Sequence, residues 1–371
     1  MRIAQICYLA PPAVGGVEKH VLELSRALKK RGHQVEIHTS NFYDLKASPL
    51  PPITQDEIPT YRYSSKFVKK TKFFSQPIHF PGLILGLIRT NPDVIHVHSM
   101  ASQHLEIGYL YARLFHKPLI VTGHYSAADL LRLSTKRKKV QKTKRLLYWE
   151  KRLKKIMSYA TLIALTNSEA KSYRGLFGFQ NLTVIPNGID LNEFEASFNK
   201  DNYLLYIGRI VPEKRLEFLI KAHNKLPVKK PLLIAGYAPD KNYLKKLKEL
   251  SSSGISFVAP EREKLLQLLK KAQALLLVSK NEAFGIVLLE AMASATPIIA
   301  SDSGGFPEVV DDAGLLFNPD SETDLIEKIC LLEDTTLAHK LQEKGLQRVQ
   351  NYAWDLLAQK VEEVYLSFAG K

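Results

Sequence analysis

The sequence predicts an α/β protein made of two doubly wound parallel sheets. Short runs rich in Ile, Val and Leu alternate with helical patterns along the chain. The alternation pauses at Pro186-Asn187-Gly188 and restarts beyond Asp190. At 371 residues the chain is also about twice the length of a typical domain. Strands of a parallel sheet are covered on both faces by crossover helices, so they read as near-continuous apolar runs.

In the first half, residues 3–9 read as a strand that ends at Pro11-Pro12. Residues 17–31 read as a helix with Val17, Val21, Leu24 and Leu28 on one face, stopped by Gly32. Further strands are expected at 34–39, 93–98, 118–122, 161–166 and 182–185. In the second half the strands fall at 203–207, 231–235, 256–258, 274–278 and 297–300. Residues 351–368 read as a helix carrying Trp354, Leu357, Val361, Val364 and Leu366. The expected domains are 1–187 and 188–350. Open α/β sheets bind ligands beyond the carboxyl ends of their strands, so the default site is a cleft between two such faces.

Composition is ordinary for a globular protein, with 45% hydrophobic and 24% charged residues. Cys7 and Cys330 lie far apart in apolar contexts and form neither a disulfide framework nor a metal pair, which suits a reducing compartment. The first apolar run is strand-like rather than a signal peptide, and the run 80–88 is too short to span a bilayer.

The most informative stretch is SKNEAFGIVLLEAMASATPIIASDSGGFPEVV. Glu282 precedes a turn, and Glu290 lies within a helix read over 285–294. Gly285 permits close approach of the backbone to a ligand. The helix start, at Ile286 and Val287, turns free N–H groups and a positive dipole end toward it. An anion can rest on that tip while the two carboxylates hold hydroxyl-bearing parts on either side, which is the layout of a nucleotide sugar. Upstream, Tyr-Ile-Gly-Arg-Ile-Val-Pro-Glu-Lys-Arg places Arg209 and Lys214 between a strand and a helix. Arg suits bidentate phosphate recognition and Lys adds a compact charge. Gly15 and Gly16 form a tight turn after the first strand but do not match the dinucleotide fingerprint. His124 ends the strand expected at 118–122. His96 and His98 share one face of their strand, and a metal role for them is set aside because no third ligand stands at useful spacing.

These motifs resemble the retaining GT-B glycosyltransferases, in particular the large family 4 (group 1). The resemblance runs in order over nearly the whole chain. It implies a GT-B fold, two doubly wound Rossmann-like domains facing a central cleft, with the segment at about 351–371 crossing back onto the first domain. It implies transfer of a sugar from a nucleoside diphosphate sugar to a glycan or lipid-linked acceptor with retention of configuration. Catalytic positions carried over are Glu282 on the donor sugar, His124 beside it, and Arg209 and Lys214 on the diphosphate. Donor-binding positions are Gly15, Gly16, Gly285, Ile286, Val287, Glu290 on the ribose hydroxyls, and Val258 near the base. Because the family usually has Gly after the Lys, Arg215 is an alternative functional cation. Ala283 and Ala295 stand where the family commonly has Gly, and Ala235-Gly236-Tyr237-Ala238 lacks its usual second Gly, which leaves the donor-sugar fit open. No Asp-x-Asp motif is present, so neither a metal nor another cofactor is expected. A glycoside hydrolase is disfavoured: its retaining carboxylates approach to roughly 5–5.5 Å, whereas Glu290 lies roughly 7 Å along the helix. A catalytically idle nucleotide-sugar or anion-binding protein is the other alternative.

Charge is uneven. Residues 1–187 carry 29 Lys and Arg against 11 Asp and Glu, and residues 188–371 carry 23 against 26. The excess centres on 62–72, interleaved with Phe67, Phe73 and Phe74, and on 136–155. Such a face is either simply solvated or rests on an anionic membrane surface. Nucleic acid is not expected, because no recognised motif accompanies it. The expected location is cytoplasmic, peripheral on the inner face of the membrane.

Overall fold

In a computed structural model, which describes residues 1–13, 15–42, 58–67, 78–79, 81–100, 103–124 and 144–368, both sheets follow the apolar runs. The chain divides into two units, Met1–Gly188 with Trp354–Lys371, and Ile189–Ala353.

The first unit holds a parallel sheet with strand order β3-β2-β1-β6-β7-β8-β9. Its strands are β1 (Arg2–Ile6), β2 (Gln34–Ser40), β3 (Thr60–Tyr63), β6 (Val94–His98), β7 (Leu119–Thr122), β8 (Thr161–Ala164) and β9 (Leu182–Val184). A short antiparallel pair, β4 (Lys66–Phe67) and β5 (Ile78–His79), stands apart. Ile3 faces Val35 on one side and Val94 on the other, so β1 is central. The winding direction reverses between β1 and β6, the point at which such sheets bind ligands.

The helix Gly16–Lys30 buries Val21, Leu24 and Leu28 and ends in Lys29 and Lys30, which favour its negative end. The C-terminal helix Trp354–Leu366 packs beside it. Trp354, Leu357, Val361 and Tyr365 share one apolar cluster with Ile3, Leu24, Leu28 and Val94. Fully burying each such side chain contributes roughly 1.5–3 kcal/mol. Polar contacts fix the orientation: the Trp354 indole donates to Glu23, and Glu362 receives Arg31 Nε at 2.8 Å and sits 2.7 Å from His33 Nε2.

The second unit holds a parallel sheet with order β12-β11-β10-β13-β14-β15. These are β10 (Leu204–Ile207), β11 (Leu232–Ala235), β12 (Ile255–Val258), β13 (Ala274–Leu277), β14 (Ile298–Ser301) and β15 (Leu315–Phe317). The same reversal occurs between β10 and β13. The helices Lys241–Leu250, Glu322–Leu331 and Thr335–Val349 begin with the side-chain caps Asp240, Ser321 and Asp334.

The structure corrects the sequence reading in three places. The first strand ends at Ile6 rather than at residue 9. Cys7, Tyr8, Leu9 and Ala10 are buried as a packed loop, so their apolar character reflects burial and not pairing. Strands β3 and β15 were not expected. Strand β3 lies at a sheet edge and is partly exposed, so it lacks the continuous apolar run, and β15 has only three residues. Among the described residues, no helix is long and apolar enough to cross a membrane.

Candidate functional site

In the second unit, Arg209, Lys214 and Glu282 meet the carboxyl end of the sheet at its reversal point. Gly208 follows β10, and Arg209 is exposed beside it. The Tyr206 hydroxyl donates to the Arg209 carbonyl at 3.1 Å and braces that turn. A single 3₁₀ turn, Pro212–Lys214, then carries Lys214 back to the strand end, where its ammonium group contacts the Glu282 carboxylate. Glu282 reaches the same place from the loop after β13. Each side chain keeps about a fifth of its surface exposed, 22% and 21%, so the pair remains open to a ligand.

The backbone of Glu282 is held by the turn after β14. Gly305 N–H donates to the Glu282 carbonyl at 2.8 Å. Gly304 adopts φ +65°, and a Cβ there would lie 2.5 Å from the Glu282 carbonyl oxygen. The Gly-Gly pair therefore seats one of the two carboxylates.

Gly285 stands at φ 86° as the N-cap of the helix Ile286–Ala293 and supplies no side-chain cap. Unlike the capped helices of this unit, its first turn at Ile286 and Val287 has N–H groups available to an anion. A Cβ on Gly285 would lie 2.6 Å from the Phe306 ring.

Glu290 is only 5% exposed. Its Oε1 lies 2.9 Å from Arg262, which also holds Glu193 at 3.1 Å. Burial would lower the Arg262 pKa, but these two carboxylates outweigh it and raise it above the ordinary value. Arg262 was missed from sequence, because Glu-Arg-Glu-Lys at a helix start reads as a solvated face. Its separation from Glu290 along the chain leaves no local signal. Val258 ends β12 at the sheet edge, and its carbonyl accepts from Gly236 N–H at 2.8 Å. Arg215, the alternative cation, donates to the Val278 carbonyl at 3.3 Å and lies over the Phe218 ring at 4.6 Å.

In the first unit, Gly15 is the extended N-cap of the helix that Gly16 opens. His124 follows β7 by two residues with φ 57°, a left-handed conformation uncommon outside glycine and often retained at functional positions. Its Nε2 lies 3.2 Å from His98 Nδ1. His98 Nε2 donates to Gln5 Oε1 at 2.6 Å. His96 is built into the core, with Nδ1 2.6 Å from the Tyr365 hydroxyl and Nε2 2.8 Å from Thr122 Oγ1. The stated ground for setting aside a metal at these histidines does not hold. The fold brings His20 and His124 beside His98, a grouping that the spacing of His96 and His98 does not reveal.

The two basic stretches fare differently. Arg62 is turned inward, its guanidinium contacting the Pro11 carbonyl, so it does not belong to a free basic face. Residues 68–72, Phe73, Phe74 and 136–143 lie outside the described residues, as do the side chains of Phe67 and 144–150. The helix Lys144–Tyr159 buries Leu153, Ile156 and Met157 and exposes Lys151, Arg152, Lys154 and Lys155. Arg152 pairs with Glu106 at 3.2 Å.

Two family models match the chain in sequence. "Glycosyltransferase Family 4" covers residues 14–193, and "Glycosyl transferases group 1" covers residues 189–348. A glycogen synthase of Mycobacterium tuberculosis is 27% identical, over 99% of this chain and 95% of its own. A phosphatidyl-myo-inositol mannosyltransferase of the same organism is 25% identical, over 100% and 98%. Among solved structures, sucrose-phosphate synthase from Thermosynechococcus elongatus has a TM-score of 0.83 at 23% identity, covering all of both chains. Anabaena HepE in complex with UDP has a TM-score of 0.76 at 20% identity, covering 99% of this chain and 100% of its own. The paired Rossmann-like units and the two matches that together span most of the chain establish that it belongs to the group 1, family 4 glycosyltransferases, with the GT-B fold.

Proposed function

We propose that the protein transfers a sugar from a nucleoside diphosphate sugar to a glycan or lipid-linked acceptor, with retention of configuration and without a metal. The observation that carries this reading is the Lys214–Glu282 pair beside the uncapped start of the helix Ile286–Ala293. Leaving-group departure loads negative charge onto the diphosphate. Lys214, Arg209 and the N–H groups of Ile286 and Val287 offset that charge with groups already in place, which is where fixed dipoles contribute most to a rate. Glu282 has a second role, accepting hydrogen bonds from donor-sugar hydroxyls. Glu290, steadied by Arg262, accepts from the ribose, and the segment after Val258 meets the base. In the first unit, Gly15 and Gly16 serve donor binding, and His124 serves the donor sugar.

The UDP-bound HepE neighbour supports a nucleotide donor, and the mannosyltransferase relative supports a lipid-linked acceptor. The exposed cations of Lys144–Tyr159 suit an anionic membrane surface, which supports a peripheral location on the cytoplasmic face. A hydrolase is disfavoured because Glu290 is buried against Arg262 rather than open to a glycosidic bond. An idle binder would bind donor without consuming it.

Thermal-shift titration with UDP, GDP, ADP and their sugars identifies the nucleotide. A ligand at a hundred times its Kd raises stability by about 2.7 kcal/mol. Incubation of the stabilising sugar nucleotide with oligosaccharide and lipid acceptors, read by the anomeric NMR signal of the product, then tests transfer. A stabilising donor that is never consumed with any acceptor establishes the idle binder, and an inverted product overturns retention.

A further inference from the structure

We propose that His20, His98 and His124 form a binding site for a transition-metal dication of the zinc class. Three separate elements converge on it: the helix Gly16–Lys30, the end of β6, and the turn after β7. One ring nitrogen from each histidine lies within 4.8 Å of one from each of the others. The ring centroids stand 5.3 Å (His20–His98), 4.8 Å (His20–His124) and 5.5 Å (His98–His124) apart. Zinc–nitrogen bonds of about 2.0–2.1 Å in a tetrahedron place the ligand nitrogens roughly 3.4 Å apart. The 3.2 Å between His98 Nδ1 and His124 Nε2 already meets that spacing. The remaining distances, within 4.8 Å, would have to shorten on binding.

A second observation points to a ligand. His20 is 4% exposed, and neither of its ring nitrogens has a hydrogen-bond partner among the described residues. Asn187 is the hydrogen-bonding neighbour of His20, but its buried Oδ1 falls short of bonding geometry to either ring nitrogen. Buried polar atoms are rarely left so, and a metal ion would take one ring nitrogen of His20 and leave the other N–H for an acceptor such as Asn187. The outer layer is in place too. Gln5 Oε1 accepts from His98 Nε2–H, which leaves the Nδ1 lone pair facing the cluster, and Gln5 Nε2 donates in turn to the Tyr365 hydroxyl at 3.3 Å. On binding, His124 moves its proton from Nε2 to Nδ1 and offers the Nε2 lone pair, so no net proton is lost. Three imidazoles select zinc, cobalt or nickel over magnesium or calcium.

This site goes beyond the transferase reading, and its binding is measurable without a donor. Because it occupies His124, the metal would inhibit transfer rather than support it. The test uses the full chain, stripped with EDTA and desalted. Cobalt titration should give visible d–d absorption of low-coordinate Co²⁺ that saturates at one equivalent, and zinc should displace it. His20→Ala and, separately, His124→Asn should weaken binding by at least about tenfold, on the scale of losing one ligand. His339→Ala, at an exposed position of the second unit, should bind as the parent does. Circular dichroism confirms that each variant is folded. Absence of a cobalt spectrum in the parent overturns the proposal whatever the variants do. So does a folded His20→Ala protein that binds cobalt as tightly as the parent.

Discussion

In Ile189–Ala353 the groups gathered at the strand ends are ions in pairs, Lys214 with Glu282 and Arg262 with Glu290. In Met1–Gly188 the corresponding position below the β1–β6 reversal holds histidines whose charged forms burial disfavours. Both sheets wind the same way, so topology does not cause the difference. A surface that binds a diphosphate needs fixed positive charge beside balancing carboxylates. A surface that meets a sugar hydroxyl or a lipid headgroup is served by neutral donors and acceptors that can change tautomer. The net charges run the other way: residues 1–187 are strongly basic and residues 188–371 slightly acidic. If the proposed donor site is right, bulk charge says little about where the anionic substrate is held, and placement at strand ends says more.

The sharpest way to break this comparison is to remove the charge that defines the second unit. Lys214→Ala or Arg209→Ala should lower turnover at saturating donor by about 10²–10³, the scale of losing a preorganised charge stabiliser. Near-parental turnover in both would show that the pairs are structural.

A smaller but still large effect is expected at the seat of Glu282. In Gly304→Ala the new Cβ meets the Glu282 backbone and strains a left-handed residue. We expect about 1–3 kcal/mol of destabilisation, together with loss of donor binding in thermal shift. A variant that melts lower yet binds donor normally would separate the Gly-Gly turn from the site.

Arg262→Ala sharpens the contrast between positioning and chemistry. Removing it unseats Glu290, so the donor KM should rise about tenfold, as for one lost charge-assisted contact, with kcat little changed. An equal fall in kcat would place Glu290 in the transition state instead.

On the basic unit, anionic liposomes should bind the protein more than neutral ones, and salt should release part of it, because exposed charge is screened within a Debye length. Replacing Lys151, Lys154 and Lys155 with Gln should reduce that binding several-fold while transfer to a soluble acceptor persists. Equal sedimentation with both liposome types would leave the face merely solvated. The smallest effect concerns metal: transfer should continue in EDTA, and complete loss on chelation, restored by Mg²⁺ or Mn²⁺, would contradict metal independence.

Much of the fold could be read from sequence because buried parallel strands are written as local runs. Leu204–Ile207 and Ala274–Leu277 are apolar throughout, and the helix Ile286–Ala293 lies within one residue of its expected span. Local rules also carried Lys214 and Glu282 to strand ends, since each lies in the loop that follows a strand. Strand β3 escaped because its partly exposed, polar sequence has no apolar run, and the C-terminal helix shows an apolar face without naming its partner. Only packing against Leu24 and Leu28 places it in the first unit. The groups that sequence could not supply are those made by pairing distant segments. Arg262 reaches Glu290 across 28 residues, and His20, His98 and His124 come from elements scattered over the first unit. Apolar periodicity is a property of neighbours along the chain and survives in one dimension. A hydrogen bond or a ligand set depends on distances of a few ångströms between segments, and those are decided only when the sheets order their strands.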